Sequence, residues 1–294
     1  PHYKAPLKKL QGRGYASGFW FNAGGESSAQ VNITEDGNVV VTTGHPDIGG
    51  SRASIANITA ELLGIDVNRV SVLIGDTASI GFSNLTGGSR VLFASALVVT
   101  ESTNQVIDIL KDRASKIWNI DKEAIEWENG EARPAGDNAG KFKPLSLVEL
   151  AEQATPTGGP IGAGHQVNTV GAEGGFATHI CDVEVDIELG IARVIRYTAA
   201  QDVGKAIHPA YVEGQLQGGV VQGIGWALNE EYIYNKEGKL DNPGFLDYRI
   251  PVCSDLPMID TILVEVPNPQ HPQGVRGVGD CLLYTSPSPR DKRQ

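Results

Sequence analysis

One order of elements, a β-hairpin followed by a glycine-rich loop and a helix, occurs twice in the sequence, over residues 29–63 and 178–231. In each copy the strands contain many β-branched residues, which favour extended structure. The sequence Glu35-Asp36-Gly37-Asn38 gives the turn of the first hairpin, and Leu189-Gly190 gives the turn of the second. We therefore predict an α+β fold of two related lobes, each built from a hairpin plus a helix.

The longest predicted helix lies inside the first lobe. It follows the loop Thr86-Gly-Gly-Ser-Arg90 and carries apolar residues at three- and four-residue steps as far as Ile117. Its first half is apolar on nearly all sides and is expected to be buried. Ser146 and Glu149 have the spacing of a capping box, which predicts a short helix after them.

A segment rich in proline and glycine, residues 155–166, is the best internal boundary. The prediction is a first lobe over residues 1–154, this connection, and a second lobe over residues 167–280. Residues 281–294 are excluded, because Cys-Leu-Leu-Tyr-Thr-Ser-Pro-Ser-Pro-Arg-Asp looks like the translation of a sequencing adapter. The chain also lacks an initiator Met, so we expect a fragment of a longer protein.

Composition excludes several classes of partner. The formal net charge is −11 and the acids are spread along the chain, which argues against nucleic acid or an anionic membrane, since both need a basic surface. The three cysteines, Cys181, Cys253 and Cys281, are too far apart for a disulfide framework or an iron–sulfur site. A reducing, cytoplasmic location is the default prediction, unless an export signal lies upstream of residue 1.

Three glycine-bearing loops that lead into helices are candidate anion sites, because a helix N-terminus presents free N–H groups and a positive dipole end. They are Gly49-Gly50-Ser51, Gly87-Gly88-Ser89-Arg90 and the segment before Ala210. Ser89 and Arg90 add a hydroxyl and a fixed cation, both suited to phosphate. Taken singly, each loop is equally typical of an ordinary helix cap. The Gly-x-Gly-x-x-Gly and phosphate-loop patterns are absent from the sequence.

The six histidines have no metal-binding spacing, and the sequence has no serine-nucleophile motif. His45 and His208 lie in the glycine loops, where a histidine is more often a surface residue than a group that supports a site from behind. Hydrolytic and metalloprotease functions are therefore poorly supported.

The helix predicted over residues 210–231 contains an unusual number of glycines. They are Gly214, Gly218, Gly219, Gly223 and Gly225. Each interior glycine costs roughly 1 kcal/mol relative to alanine, so another group is expected to come close to this helix. Helix packing through small residues accounts for Gly214 and Gly218. Gln222 needs hydrogen-bond partners if it is buried, and either a ligand or a neighbouring backbone would supply them.

Four stretches are specific in combination. They are Asp202-Val-Gly-Lys-Ala-Ile-His-Pro, Val212-Glu-Gly-Gln-Leu-Gln-Gly-Gly-Val-Val-Gln-Gly-Ile-Gly225, Asp247-Tyr248 and Gly274-Val-Arg-Gly-Val-Gly-Asp280. Together they closely resemble the large subunit of the molybdenum hydroxylases, the xanthine dehydrogenase and aldehyde oxidase family. The resemblance covers residues 12–280 and corresponds to the C-terminal, molybdopterin-binding half of that subunit.

The resemblance implies that the two lobes bind molybdopterin or molybdopterin cytosine dinucleotide, and that the molybdenum has no direct protein ligand in this half. By motif, Gln222 would hydrogen-bond near the molybdenum. Gly49 and Gly50 occupy a loop in which many members carry Gln at the second position, so a side-chain contact is lost here or made by backbone. The residues implied for the pterin phosphate are Gly87, Gly88, Ser89 and Arg90.

The implied reaction is hydroxylation of an N-heteroaromatic or aldehyde-type small molecule, with water as the oxygen source. Asp280 would be the catalytic carboxylate that accepts a proton. The family has Glu at this position, and a Glu codon whose third base belongs to the adapter would be read as Asp. Electrons would leave through 2Fe-2S clusters and FAD on partner subunits, which predicts a hetero-oligomer. This fragment is not expected to be active alone.

Two other functions remain open. One is a noncatalytic binding or scaffold module that kept the fold and lost the chemistry. The other is a glycine-rich nucleotide-binding enzyme outside this family. Molybdenum and pterin analysis of the complete subunit separates them from a molybdenum hydroxylase.

Overall fold

The structure, a computed structural model, describes residue 4, residues 10–74, residue 78 and residues 80–279. In chain order the elements are β1 (Gln11–Asn22), β2 (Gly25–Ile33), β3 (Val39–Thr43), α1 (Ser51–Leu63), β4 (Val70–Ile74), α2 (Arg90–Trp118), β5 (Ile125–Glu128), β6 (Glu131–Pro134), β7 (Leu145–Ser146), α3 (Leu147–Glu152), α4 (Ala154–Thr157), β8 (Ile161–Thr169), β9 (Ala172–Asp186), β10 (Ile191–Asp202), α5 (Pro209–Leu228) and β11 (Ile259–Val264). Both predicted hairpins and all three long helices are present, so the predicted α+β class is confirmed.

The chain divides into two compact units whose boundaries differ from the predicted lobes. The central unit consists of Ala23–Ala172 and Pro269–Gly274, and the terminal unit consists of Pro1–Asn22, Glu173–Asn268 and Val275–Gln294. The predicted connection over residues 155–166 is not a linker, because β8 begins inside it and pairs with β2 along its whole length. Similarly, β1 belongs to the sheet of the terminal unit, where it lies beside β9. Strand pairing between distant segments therefore decides the division.

The central unit is built on a four-stranded sheet in the order β4-β3-β2-β8. In this sheet β2 is antiparallel to both of its neighbours, whereas β3 and β4 are parallel. The crossover between the parallel strands contains α1, and α2 follows β4. Both helices pack against the sheet and against each other. The core between them contains fully buried residues such as Val31, Val41, Ile55, Val99 and Leu110.

Local sequence signals explain the remaining elements of the central unit. The first half of α2 is buried on almost every side, as its apolar composition predicts. Ser146 and Glu149 form the predicted capping box at the start of α3.

No helix in the described ranges is both long and apolar enough to cross a membrane.

The terminal unit has a second four-stranded sheet, in the order β1-β9-β10-β11. Helix α5 packs on it through Val220 and Ile224, which join Val194 and Tyr197 in a small core. The sequence did not predict β1, because glycines such as Gly12 weaken strand propensity. The pairing of β1 with β9 depends on residues that are far away along the chain.

Acidic residues alternate with apolar ones from Asp182 to Ile187, a pattern that predicts an exposed acidic side of the strand, but Asp182 is 1% exposed. The Arg13 Nε and Asp182 Oδ1 atoms are 2.6 Å apart, and the Arg196 Nε and Asp182 Oδ2 atoms are 3.0 Å apart. Arg13 comes from β1 and Arg196 comes from β10, so this Asp182 cluster joins three adjacent strands. Val185 and Ile187, which the alternation predicts to face the core, are exposed.

The glycines of α5 differ in their surroundings. A Cβ atom added at Gly214 or Gly218 would meet no described atom within 4 Å. The helix packing predicted to explain these two glycines is therefore wrong for the described part of the chain. At Gly225, in contrast, a Cβ atom would lie 2.8 Å from Pro251 Cδ. Of Gly214, Gly218 and Gly225, Gly225 alone is required for close packing among the described residues.

Candidate functional site

Two of the three predicted glycine loops lie at one edge of the central unit's sheet. The 44–50 loop connects β3 to α1, and the 86–89 loop ends the segment between β4 and α2. Because β3 and β4 are parallel, with Thr43 opposite Ile74, both segments leave the sheet at its carboxyl-terminal edge. Ligands of open α/β sheets bind outside this edge. The fold thus brings together two predicted sites that are far apart in sequence.

Both loops end on two left-handed residues directly before a helix. The φ angles are 61° at Gly49, 75° at Gly50, 63° at Gly88 and 57° at Ser89. A left-handed residue followed by a helical one turns successive N–H groups to one side, an arrangement that binds anions. Neither N-cap residue, Gly50 or Ser89, makes a side-chain cap hydrogen bond; in the first turn of α1 the Arg52 N–H donates to Asp47 Oδ1 at 3.1 Å. The backbone of both loops is therefore suited to a phosphate.

Close packing holds the 86–89 loop in place. The Ala23 N–H donates a 2.9 Å hydrogen bond to the Gly88 carbonyl oxygen. A Cβ atom at Gly88 would lie 2.7 Å from the Ala23 Cβ, and one at Gly87 would lie 3.0 Å from Leu85 Cδ1. Gly88 is required both for its positive φ and for this approach.

Gly88→Ala is expected to destabilise the central unit by about 2–4 kcal/mol, because a left-handed alanine and an overpacked contact both cost free energy. Gly136→Ala is the matched control, since Gly136 has a φ of 57° and its Cβ would meet nothing within 4 Å. Thermal unfolding of both variants measures the difference. Equal changes in melting temperature for the two variants would show that the contact between Gly88 and Ala23 contributes nothing to stability.

The Arg90 side chain is buried and cannot contact a phosphate directly. Its guanidinium donates to Gly24 O at 2.7 Å, Asn84 O at 3.0 Å, Leu85 O at 3.1 Å, Glu26 O at 2.7 Å and Ser27 Oγ at 3.0 Å. These bonds use all five N–H donors of the side chain. The predicted cation for a cofactor phosphate is therefore a positioning residue, which ties the start of β2 to the segment before α2.

A polar network connects Arg90 to the other loop. The Oγ of Ser27 lies 3.0 Å from Arg90 Nη2 and 2.9 Å from His45 Nε2. His45 is buried, which contradicts its interpretation as a surface residue. Burial, with a smaller contribution from the Arg90 charge, lowers the pKa of His45 to about 4, so the imidazole is neutral at pH 7. A cavity of about 260 Å³ opens beside this network, next to Glu26, Ser27 and Phe82.

Residues 269–274, which precede Asp280 in the chain, belong to the central unit and are anchored on α2. His271 Nε2 lies 3.0 Å from the Phe93 carbonyl oxygen, and the Gln273 N–H donates to His271 Nδ1 at 3.0 Å. A carbonyl only accepts and an N–H only donates, so this buried imidazole is neutral with its proton on Nε2. Burial also lowers the pKa of His271. Sequence analysis did not single out His271 as an anchor.

The next residues, Arg276 and Gly277, are fixed within the terminal unit. Arg276 Nε lies 3.1 Å from Asp202 Oδ2, and its Nη1 donates to the Gly174 carbonyl oxygen at 3.2 Å. The Gly277 N–H donates to Asn22 Oδ1 at 2.6 Å. These contacts hold the glycine-rich segment as far as Gly277. The predicted catalytic residue, Asp280, lies outside the described residues.

The third predicted loop and Gln222 belong to the terminal unit. The residue before α5 is His208, whose ring stacks on Tyr211 with the centroids 4.0 Å apart. Gln222 is exposed on α5, as are Gly214 and Gly218. Its amide is therefore available to a ligand or to another part of a longer protein. No cluster of possible metal ligands occurs among the described residues.

Molybdopterin carries a phosphate, and the two loops of the central unit fit such a group. Paired left-handed residues and helix N-termini supply N–H groups, and the close contact between Gly88 and Ala23 holds one loop in shape. No side-chain cation is needed in this arrangement, which agrees with the full engagement of Arg90. Gly49, Gly50, Gly87, Gly88 and Ser89 remain candidate contacts through backbone or hydroxyl.

Known proteins are similar to this chain in sequence and in fold. The family described as "Molybdopterin cofactor-binding domain" matches residues 4–257. The nicotine 6-hydroxylase large subunit of Paenarthrobacter nicotinovorans is 29% identical over 271 residues, which cover 89% of this chain and 33% of that subunit. The xanthine dehydrogenase molybdenum-binding subunit of Escherichia coli O157:H7 is 28% identical over 279 residues, which cover 90% of this chain and 36% of that subunit.

A solved structure agrees with these matches. Quinoline 2-oxidoreductase from Pseudomonas putida 86 superimposes with a TM-score of 0.83 at 26% identity, covering 95% of this chain and 38% of that chain. The chain therefore spans about one third of the length of the relatives it matches. The match over residues 4–257, together with two phosphate-compatible loops at one sheet edge, confirms the resemblance: the chain belongs to the molybdopterin cofactor-binding family of molybdenum hydroxylase large subunits.

Proposed function

We propose that this chain is the cofactor-binding part of a hydroxylase subunit that oxidises an N-heteroaromatic or aldehyde-type small molecule with water as the oxygen source. The cofactor is molybdopterin or molybdopterin cytosine dinucleotide carrying molybdenum. When bound, it supplies the redox chemistry and the oxygen transfer. The residues of this chain hold it, orient it and move a proton.

The observation that carries the proposal is the convergence of two glycine loops at the carboxyl ends of β3 and β4. Gly49 and Gly50 offer backbone N–H groups from one loop. Gly87, Gly88 and Ser89 offer backbone and a hydroxyl from the other. Arg90 keeps the second loop in shape through its five backbone and side-chain acceptors.

Two relatives support the substrate class. They are the nicotine 6-hydroxylase large subunit and quinoline 2-oxidoreductase, so both act on molecules with a nitrogen-containing aromatic ring. The aldehyde alternative is supported by an aldehyde oxidoreductase molybdenum-binding subunit of Escherichia coli, which is 28% identical over 277 residues. The identities of 29% and 28% do not rank the two substrate classes, so both stay in the proposal.

The proton acceptor in this proposal is the carboxylate at position 280. Arg276 and Gly277 fix the backbone just before it, and a fixed backbone is what a general base needs, because proton transfer requires heavy atoms within about 2.6–3.2 Å. A glutamate there would reach about one methylene further than Asp280. The native codon at this position decides which side chain carries out the step.

The partners in this proposal are an iron–sulfur subunit and an FAD subunit, which take electrons from the cofactor. Relatives are named as a large subunit, a molybdenum-binding subunit and a subunit of a dehydrogenase complex, which supports a hetero-oligomer. Within the described residues, no group of cysteines, histidines and acids suits a metal of this chain's own.

Gln222→Ala in the complete subunit, co-expressed with its partners, tests the role of α5. We expect molybdenum occupancy or turnover to fall severalfold, because the lost amide hydrogen bond stabilises the bound cofactor. Thermal stability of the subunit without cofactor should not change, since Gln222 is exposed.

Gln215→Ala is the matched control, because Gln215 is an exposed glutamine on the same helix. It should leave molybdenum content and turnover unchanged. If Gln222→Ala also leaves both quantities unchanged, Gln222 is not part of the site. A complete subunit that holds cofactor but has no turnover would support a noncatalytic binding module instead.

A further inference from the structure

The segment between α5 and β11 carries the two most exposed large apolar side chains among the described residues. Residues 229–258 form this segment, the arm, within the terminal unit. Phe245 is 91% exposed and Leu246 is 93% exposed. Other apolar side chains of the arm that are at least half exposed are Tyr232, Ile233, Tyr234, Ile250, Val252 and Met258. Single exposed apolar residues are ordinary, but a concentration of this kind marks an interaction surface.

Hydrogen bonds give the first half of the arm a fixed shape. The Asn242 side chain is buried. Its Oδ1 accepts from the Ile233 N–H at 3.0 Å, and its Nδ2 donates to the Glu231 carbonyl oxygen at 2.7 Å. The Asp241 N–H also donates to the Ile233 carbonyl oxygen, at 2.8 Å. Because this loop is already closed, little conformational entropy is lost when another surface covers it.

The most exposed pair, residues 245–246, is held in a tight turn. The N–H groups of Asp247 and Tyr248 both donate to the Gly244 carbonyl oxygen, at 3.1 and 2.8 Å. The Tyr248 hydroxyl donates to Glu230 Oε2 at 2.8 Å, which ties the turn to the start of the arm. Asp247-Tyr248, one of the four stretches that carry the family resemblance, therefore forms the end of this turn. The turn keeps two large apolar side chains in water, an arrangement that burial against another surface would stabilise.

Three tyrosines extend the surface beyond the turn. The Tyr232 ring centroid lies 5.4 Å from that of Tyr248 and 6.4 Å from that of Tyr234. Tyrosine is enriched at interfaces because its ring buries apolar area while its hydroxyl finds a polar partner. The exposed pair is thus continuous with an aromatic cluster, as expected of anchor residues that enter a pocket.

The lengths of the relatives indicate which partner covers the arm. This chain spans about one third of the large subunits that it matches, so most of such a subunit is polypeptide that this chain does not include. A covalently linked surface binds at a high effective concentration, and permanent interfaces are the ones richest in apolar residues. We propose that the arm docks, through Phe245 and Leu246, into an apolar pocket on the remainder of the same large-subunit polypeptide. The arm contains none of the residues predicted to bind the cofactor.

The test is photocrosslinking in the complete large subunit, co-expressed with its partner subunits. Phe245→p-benzoylphenylalanine keeps an aromatic ring at the turn and makes it photoreactive, and mass spectrometry identifies the crosslinked peptide. We expect an intramolecular crosslink from residue 245 to a part of the same large subunit outside this chain. Asp137→p-benzoylphenylalanine is the control, because Asp137 is exposed in a loop of the central unit. Its yield should be roughly fivefold lower or less, since a residue that no linked surface covers meets other groups only in passing.

A second pair of variants tests whether the pocket is apolar. Leu246→p-benzoylphenylalanine should give the same intramolecular crosslink, and it decides the matter if the variant at residue 245 fails to fold. Adding Phe245→Asp should lower that yield severalfold, because a carboxylate loses its hydration in an apolar pocket.

Three results overturn the proposal. They are a crosslink to an iron–sulfur or FAD subunit, a covalent dimer of large subunits on a denaturing gel, and a yield no higher than that of the Asp137 control. None of these measurements needs molybdenum or turnover, so their outcome is independent of the proposed reaction.

Discussion

Arg90→Met is expected to lower the free energy of unfolding of the central unit by about 3–5 kcal/mol, because several acceptors lose a charged donor and each buried acceptor left unsatisfied costs about 1–3 kcal/mol. Five acceptors would lose their donor, among them the carbonyl oxygens of Gly24, Asn84 and Glu26. Methionine fills similar space but donates no hydrogen bond. The segment before α2 should then lose its fixed shape, and cofactor content of the complete subunit should fall with it.

Thermal unfolding of Arg90→Met measures the first effect, and molybdenum content measures the second. Arg69→Met is the matched control, because Arg69 is exposed and donates to two backbone carbonyls at 3.3 Å each. Its stability should change by less than about 1 kcal/mol. Arg90→Lys keeps the charge but has three donors in place of five, so a loss intermediate between wild type and Arg90→Met is expected. If Arg69→Met and Arg90→Met lower the free energy of unfolding by similar amounts, Arg90 does not position the segment before α2.

Asp182→Asn is expected to destabilise the terminal unit by about 3 kcal/mol at pH 7, because it leaves two guanidinium groups beside a neutral amide. Arg13 binds both carboxylate oxygens, at 2.6 and 2.8 Å, and Arg196 binds one of them at 3.0 Å. The loss would separate β1 from the sheet first, since β1 pairs only with β9 in the described sheet. Glu184→Gln is the control, because Glu184 is exposed two positions along the same strand.

The same variant has a defined dependence on pH. The hydrogen bond from Arg13, followed by the charges of Arg13 and Arg196, lowers the pKa of Asp182 in the folded state. The stabilisation is therefore fully present above the unfolded-state value of about 3.9 and is lost as the pH falls through the folded-state pKa. The difference between wild type and Asp182→Asn in urea unfolding should shrink as the pH drops below about 4. A constant difference from pH 7 down to pH 3 would contradict this account.

Signals that are local in sequence predicted most of the elements. The periodicity of α2, the turn at Gly37 and the capping box at Ser146 all have their predicted structural role. Each depends on residues within a few positions of one another. The positive φ angles at Gly49 and Gly88 likewise follow from glycines placed directly before helices.

Long-range pairing explains what the sequence did not reveal. Asp182 is buried because Arg13 reaches it from a strand 169 positions away, and no local pattern records that contact. Arg90 looks like a free cation beside glycines, but its acceptors come mainly from the start of β2, more than 60 positions earlier. His45 is buried for the same reason, through Ser27. Position 280 lies outside the described residues, so its catalytic role stays a prediction.

The central claim is that this chain holds a molybdenum cofactor through its two glycine loops. The most direct measurement is the molybdenum and pterin content of the purified complete subunit, co-expressed with its partner subunits. We expect molybdenum and pterin to be bound in stoichiometric amounts, with Gly88→Ala lowering both and Gly136→Ala lowering neither. A correctly folded subunit that contains no molybdenum and no pterin would contradict it.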